Sequence, residues 1–371
     1  MSMLRKLLFS LAALILVAVI GVLLFGEADV NHNVLHDQSA DADAPASFMP
    51  TREHAGVTFE GRAPSSLTTV LLIGYDHMDN GVLLEQDAFN KGGQSDFLLL
   101  LAIDHDRQQI RQLQFDRDTM TDVKFFSKFG ADYGTRRLQI CLSHAYGDTQ
   151  ELNNSNAIWA VERFLGIEKD DDGAQVDMYL SMDITGIGRL NDLLGGVTVP
   201  INDDFSHYDP SMKLGTTMKL NGEQAHIYCR QRYYIGDQSN QNRMARQRVY
   251  MDAATELLRD KLDENPGFAN ELLNGMGIIY DTSTSLDDDF GFTIAEQKGT
   301  PVTDTPTHYL MTNHSLDGIV ALLARVQHYE VLPVETIPGH HQVGISGFME
   351  FIAEENAGVQ WALDALYRPL N

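Results

Sequence analysis

The feature that most constrains this chain is an apolar stretch at its start. Leu7–Phe25 is broken only by Ser10 and Gly21, and Arg5 and Lys6 stand just before it. A helix needs about 20 mostly apolar residues to cross the hydrocarbon core of a bilayer, and this run reaches that length. Acidic residues follow it (Glu27, Asp29, Asp37, Asp41 and Asp43), so the positive-inside rule leaves the N-terminus in the cytoplasm. A cleaved signal peptide is the competing reading. Its apolar core is usually shorter and ends at a small-residue cleavage site, whereas Ala44-Pro45-Ala46 lies too far downstream. The expectation is a single-pass cell-membrane protein. Residues 1–6 are cytoplasmic, 7–25 span the membrane, 26–66 link, and 67–371 form an extracytoplasmic domain.

Charge narrows the partners. The 371 residues carry 52 Asp and Glu against 27 Lys and Arg, a net charge of −25. Binding a polyanion depends on neutralising phosphates with Lys and Arg, so a nucleic-acid partner is excluded. An acidic chain that binds phosphate must gather its few arginines in one place. Cys141 and Cys229 make no disulfide framework. They read as buried free thiols, with pairing left open. No Cys/His cluster has zinc-ligand spacing, and His340-His341 beside Gly339 reads as a loop.

Asn31–Ser66 is polar, acidic and dotted with Pro45, Pro50 and Pro64, the composition of a partly disordered tether. Beyond it, Thr69–Tyr75 and Phe97–Ile103 are short apolar runs suited to buried strands, and Gln109–Phe115 alternates. Helical spacing marks Glu151–Leu165, Ile184–Leu194, Leu220–Tyr228 and Asn242–Leu262, with strands expected at Val176–Met182 and Val197–Ile201. Later elements are Leu316–Val326 (helix), Tyr329–Glu335 (strand) and Gly347–Tyr367 (largely helix), with Asp281–Thr305 a surface excursion. Interleaved strands and helices predict α/β layers, a sheet covered by helices on both faces.

Four charged stretches sit beside ends of predicted strands, where open α/β sheets place their ligands. Ile73-Gly74-Tyr75-Asp76 ends the first strand, and Gln94-Ser95-Asp96 precedes the second. Two carboxylates meeting there would suit Mg²⁺, which takes one or two carboxylates plus water and substrate phosphate. Spacing alone favours the plainer reading, in which Asp76 caps a turn and Asp96 starts a strand. Phe115-Asp116-Arg117-Asp118 is either a solvated turn or a guanidinium steadied by carboxylates for a phosphate. The densest stretch is Arg230-Gln231-Arg232, a polar loop, then Arg243-Met244-Ala245-Arg246-Gln247-Arg248. Arg230 and Arg232 converge only if the preceding helix has ended. Arg243, Arg246 and Gln247 fall on one face of the next helix.

In this order the stretches resemble the LytR-CpsA-Psr family. The resemblance rests on Gly74-Tyr75-Asp76, Gln94-Ser95-Asp96, Asp116-Arg117-Asp118, Leu194-Gly195-Gly196-Val197 and Leu220-Asn221-Gly222-Glu223-Gln224-Ala225, closed by Arg230-Gln231-Arg232 and Arg243-Met244-Ala245-Arg246-Gln247. It implies an α-β-α fold with a central mixed β-sheet flanked by helices. The implied enzyme is an extracytoplasmic phosphotransferase that attaches a glycopolymer, of teichoic acid or capsule type, to peptidoglycan. The glycopolymer arrives on a polyprenyl pyrophosphate lipid whose tail lies in an apolar cavity. By the same resemblance Asp76 and Asp96 hold Mg²⁺, while Arg117, Arg230, Arg232, Arg243 and Gln247 surround the pyrophosphate. Asp96 or Asp118 acts as general base. The alternatives are a non-catalytic binding or scaffold protein for that lipid, or a pyrophosphatase acting on it. The chain departs from the family pattern at Gln94 (usually Arg), Asp116 (usually Pro) and Asn240 (an Asp position).

Overall fold

The run Ser95–Asp104 is buried at every position, so both faces of this strand must be covered. The computed structural model describes residues 51–63, 65–75, 93–126, 132–147, 149–167, 174–265, 268–280, 310–314, 318, 319, 322, 325, 326 and 329–370. Within these, the chain opens with a hairpin, β1 (Thr51–His54) and β2 (Val57–Glu60), then β3 (Leu67–Tyr75), β4 (Ser95–Asp104) and β5 (Gln109–Phe115). A second hairpin, β6 (Met120–Phe126) and β7 (Asp132–Gln139), leads through a short 3-10 helix (Ile140–His144) to α1 (Gln150–Leu165). Next come β8 (Met178–Asp183), α2 (Gly186–Leu193), β9 (Thr198–Pro200), β10 (Thr217–Lys219), α3 (Gly222–Arg230), α4 (Asn240–Glu264) and α5 (Phe268–Met276). The remainder is β11 (Ile278–Tyr280), β12 (Leu310–Thr312), β13 (Glu330–Thr336), β14 (Gly339–Val343), β15 (Met349–Ala353), α6 (Ala357–Leu366) and β16 (Arg368–Pro369).

Among the described residues the main sheet has the order β11-β12-β8-β3-β4-β5-β13. β3 is antiparallel to β4 and parallel to β8, and β5 is antiparallel to β4 and parallel to β13. The sheet is therefore mixed. Successive strand side chains point to opposite faces, and the core divides accordingly. Val70, Leu72, Leu99, Leu101 and Ile103 pack with residues of α2, α3, α4 and α5. Leu71, Ile73, Leu98, Leu100 and Ala102 pack with α1 and α6 on the other face. The apolar stripe of α4 (Tyr250, Met251, Ala254, Leu258) belongs to the first of these cores.

Two local devices position the site. Asn221 caps α3 by accepting from Gln224 N at 2.9 Å, and Asn221 N donates in return to Gln224 Oε1, a reciprocal capping box. Gly222 lets α3 approach α2, because an added Cβ would lie 2.7 Å from Gly188 O. After α3, Gln231 is extended (ψ 139), so the helix stops at Arg230 and frees Arg232.

Several expectations need correction. Residues 51–60, inside the expected tether, form a hairpin whose second strand pairs with β16 near the C-terminus. Gly347–Tyr367 is a strand followed by a shorter helix. Phe348, Met349, Phe351 and Ile352 have an apolar spacing that suits either element, and pairing with β14 decides it. His340-His341 lies in β14, not a loop; both faces of that strand are largely exposed, so no alternation marks it. The anchor Leu7–Phe25, Asp76 and the whole of Asp281–Thr305 lie outside the described residues, and Leu316–Val326 is described only in part. Among the described residues no helix is long and apolar enough to cross a membrane.

His105, in the turn after β4, carries a testable consequence. Its Nε2 lies 2.9 Å from Thr68 Oγ1 and its Nδ1 3.1 Å from Tyr329 Oη. Burial, reinforced by the Arg325 guanidinium, pushes this imidazole down to about 4. Below the ordinary histidine value the unfolded chain binds a proton that the folded chain refuses until about pH 4. Stability therefore falls as pH drops through that window. Urea denaturation of His105→Gln should show the parent losing about 1–2 kcal/mol relative to the variant between neutral pH and the bottom of the window, the full shift being worth about 3 kcal/mol before solvent screening.

Candidate active site

β3 ends, β4 begins and β5 ends at the same end of the sheet, as their antiparallel registers require. This brings Gln94, Asp96 and Arg117 together. The turn after β5 is fixed locally, since Asp116 Oδ1 accepts from Asp118 N at 2.9 Å. It is tied to the 3-10 helix by Cys141 N donating to Arg117 O at 3.1 Å. Ser239 caps α4, accepting from Asn242 N at 3.1 Å, and so sets the first turn of α4 against this corner.

Asp96 is the hub. One carboxylate oxygen accepts from Arg117 Nη1, and the other accepts from Arg243 Nη1 at 2.7 Å. All three side chains are largely buried. Burial pushes the Asp96 carboxyl up, but the Arg243 and Arg117 guanidiniums outweigh it and hold the group below the usual carboxylate range. Arg117 also donates to Gln94 Oε1 and to Cys141 Sγ at 3.4 Å, and its Nε lies 3.5 Å from Asp118 Oδ1. Gln94 thus gives Arg117 a neutral acceptor where an arginine would add a third positive charge. Arg243 Nη2 donates to Asn240 Oδ1 at 2.6 Å, and Asn240 Nδ2 donates to Asp116 Oδ1 at 2.9 Å. Asp118 accepts from Gln139 Nε2 at 3.0 Å, and burial pushes its carboxyl up.

The remaining residues lie around this hub. Arg232 bonds Tyr233 Oη at 3.3 Å and stands close enough to act electrostatically on both Asp96 and Asp118. Gln247, one turn beyond Arg243, donates to Cys229 O at 3.1 Å, and its Oε1 is buried without a partner. Arg230 ends α3, partly buried, near enough to His226 to hold that imidazole down along with burial. Arg246 does not share the site-facing surface of Arg243: it bonds Tyr228 O at 3.2 Å and Asp203 Oδ2 at 3.2 Å, fixing α4 to the end of α3. Cys141 and Cys229 are free and buried.

The charged stretches were visible in sequence, but Cys141, Asn240 and His341 were not seen as their partners. His341 Nε2 lies 3.0 Å from Asp116 Oδ2, across 225 residues; the histidine doublet was its one sequence signal. Asp116, Asp118 and His341 each bring a donor atom within 4.8 Å of the others. Gln139, Asn240 and the imidazole already bond those carboxylates, which is a hydrogen-bonded network rather than an open coordination shell. Asp96, bonded by a guanidinium on each oxygen, is the other carboxylate at the site. Each carboxylate oxygen has two lone pairs, so one on each remains beside its guanidinium.

A three-layer α/β protein with an arginine–carboxylate clamp at one end of a mixed sheet is the class this geometry defines. The chain belongs to the LytR-CpsA-Psr family, whose sequence profile matches residues 33–264. It is 27% identical over 231 residues to the polyisoprenyl-teichoic acid–peptidoglycan teichoic acid transferase TagU of Enterococcus faecalis, 62% of this chain and 66% of that one. Over 140 residues it is 30% identical to the TagU of Halalkalibacterium halodurans, 38% of this chain and 40% of that one. The chain therefore spans less than two thirds of the length of these relatives. In fold it resembles the crystal structure of a Streptococcus agalactiae protein (TM-score 0.54, 19% identity, 81% of this chain and 88% of that one). It also resembles that of Bacillus subtilis TagV (TM-score 0.50, 18% identity, 81% and 96%).

Proposed function

We propose that this protein is an extracytoplasmic phosphotransferase, held in the cell membrane by Leu7–Phe25, that transfers a glycopolymer from a polyprenyl pyrophosphate lipid to peptidoglycan. The observation that carries the reading is the buried ion triad Arg117–Asp96–Arg243. Arg243 keeps a buried Nε–H with no hydrogen-bond partner, and the buried Arg117 Nε–H has only the 3.5 Å ion pair to Asp118; an unmade buried bond is costly. A pyrophosphate oxygen would satisfy such donors. Phosphoryl transfer asks chiefly for positioning and for neutralisation of charge on the transferring and leaving oxygens. Arg117, Arg243 and Arg232 supply that charge on an otherwise acidic chain, with Arg230 and Gln247 at the periphery. The names of the relatives support the substrate class.

Asp96, with Asp76, would hold Mg²⁺, which when bound would neutralise pyrophosphate charge. Asp96 itself serves as an anchor: both its oxygens are engaged and its carboxyl is held acidic, so it is a poor proton acceptor. Asp118 is then the better base of the two carboxylates considered.

Gln94 and Asn240 depart from the family pattern, yet each hydrogen-bonds a site arginine. That favours turnover over simple lipid binding. The test is the membrane-embedded protein with Mg²⁺, a pyrophosphate-linked lipid glycan and peptidoglycan. Polyprenyl phosphate should appear in step with glycan–peptidoglycan phosphodiester. Equal release without acceptor would instead make it a pyrophosphatase, and lipid retention without release a binding protein.

A further inference from the structure

A second titratable pair stands at the rim of the triad, unused by the reading above. Asp116 sits between the arginine site and His341. Its Oδ1 accepts from Asn240 Nδ2 and from Asp118 N, both at 2.9 Å, and its Oδ2 faces His341 Nε2 at 3.0 Å. The carboxylate is 10% exposed and the imidazole 22%, so the pair runs from buried anchor to open ring. Gln241, on the first turn of α4, lies with Nε2 2.7 Å from His341 Nδ1 and 3.1 Å from Nε2. An ionised carboxylate only accepts, so His341 Nε2 donates to Asp116 Oδ2, and in the neutral ring the lone pair is on Nδ1. A carboxylate-oriented imidazole with its free nitrogen outward is the arrangement that accepts protons from substrate hydroxyls.

We propose that His341, oriented by Asp116, is the general base that takes the proton from the acceptor hydroxyl, a role that rests on the transferase reading. The acceptor oxygen bonds to the glycan-side phosphorus as the bond from that phosphorus to the bridging oxygen breaks. Polyprenyl phosphate leaves with the electron pair, toward Arg117 and Arg243. The hydroxyl proton passes to His341 Nδ1, and Asp116 stabilises the imidazolium until solvent takes the proton. Gln241, exposed, occupies the position the hydroxyl would displace. His341 supplants Asp118, which is buried beneath Gln139 and beside Arg117.

Among the described residues, the groups around the imidazole are few. Asp116 and Asp118 face it from the turn after β5, and Gln241 faces it from α4. Phe351 packs on it from β15, with ring centroids 4.9 Å apart. Glu350 on the same strand is bonded to Gln342 at 3.2 Å, and Arg243 is reached only through Asn240.

The experiment uses the full membrane-embedded chain and the lipid-glycan assay. His341→Gln should lower kcat by about 100- to 10,000-fold while KM for the lipid stays within about twofold. The acid limb of the kcat/KM–pH profile should vanish, and free imidazole should restore turnover to His341→Gly, which a purely structural role would not allow. His341→Asn serves as a second variant, with thermal unfolding as the check on folding. Parent-like kcat in both His341→Gln and His341→Asn overturns the proposal while leaving the transferase reading intact. So does a loss carried by KM alone. A parent that releases no polyprenyl phosphate overturns both.

Discussion

Asp96→Asn will leave two buried guanidiniums without their shared counter-charge, and it should be the most damaging single change in the protein. Removing one partner of a buried ion pair costs about 3–5 kcal/mol, because the charges left behind remain desolvated. Here two arginines lose the same partner, and neither has another carboxylate of comparable contact: Arg117 is 3.5 Å from Asp118, and Arg243 turns to the neutral Asn240. The midpoint of urea unfolding should fall accordingly at neutral pH. The difference should shrink in acid, because a carboxyl held low by folding contributes stability above its unfolded value and loses it as pH falls through the folded one. Equal stability of parent and variant at neutral pH would show that the triad is not formed.

Arg243→Lys tests geometry rather than charge. Arg243 places one terminal nitrogen on Asp96 and the other on Asn240, a fork that a lysine ammonium cannot span. Lysine keeps the positive charge but releases Asn240 and, through it, Asp116. The expected result is a fall in kcat of about 100- to 1,000-fold, the cost of losing one well-placed donor to developing charge, with folding retained. If Arg243→Lys turns over like the parent, a point charge suffices there and the chain Arg243–Asn240–Asp116 has no role in the reaction.

The match between sequence and structure depends on how local each signal is. α3 begins at the Asn221 cap and β4 covers the expected apolar run, because caps and unbroken hydrophobic strands are written within a few residues. α4 extends from Asn240 to Glu264, two residues beyond the expected helix at each end, which is ordinary fraying of a boundary estimate. The hairpin β1–β2 was hidden in a polar segment because its support comes from β16, some 300 residues away. In the hairpin β6–β7 the second strand is long and largely exposed, so it carries no alternation to read.

At the site the division follows the same physics. Composition and spacing by themselves determined that an acidic chain concentrates arginines beside strand ends; it took the resemblance to the LytR-CpsA-Psr family to single out Asp96, Arg117 and Arg243. Tertiary structure alone decided which charges touch. It set Asp96 between two guanidiniums, turned Arg246 away to Asp203, converted Gln94 and Asn240 from apparent losses into hydrogen-bonding partners, and brought His341 to Asp116. Hydrogen bonds and ion pairs act over about 3 Å, a distance that no spacing along the chain can specify until the sheet and helices have packed.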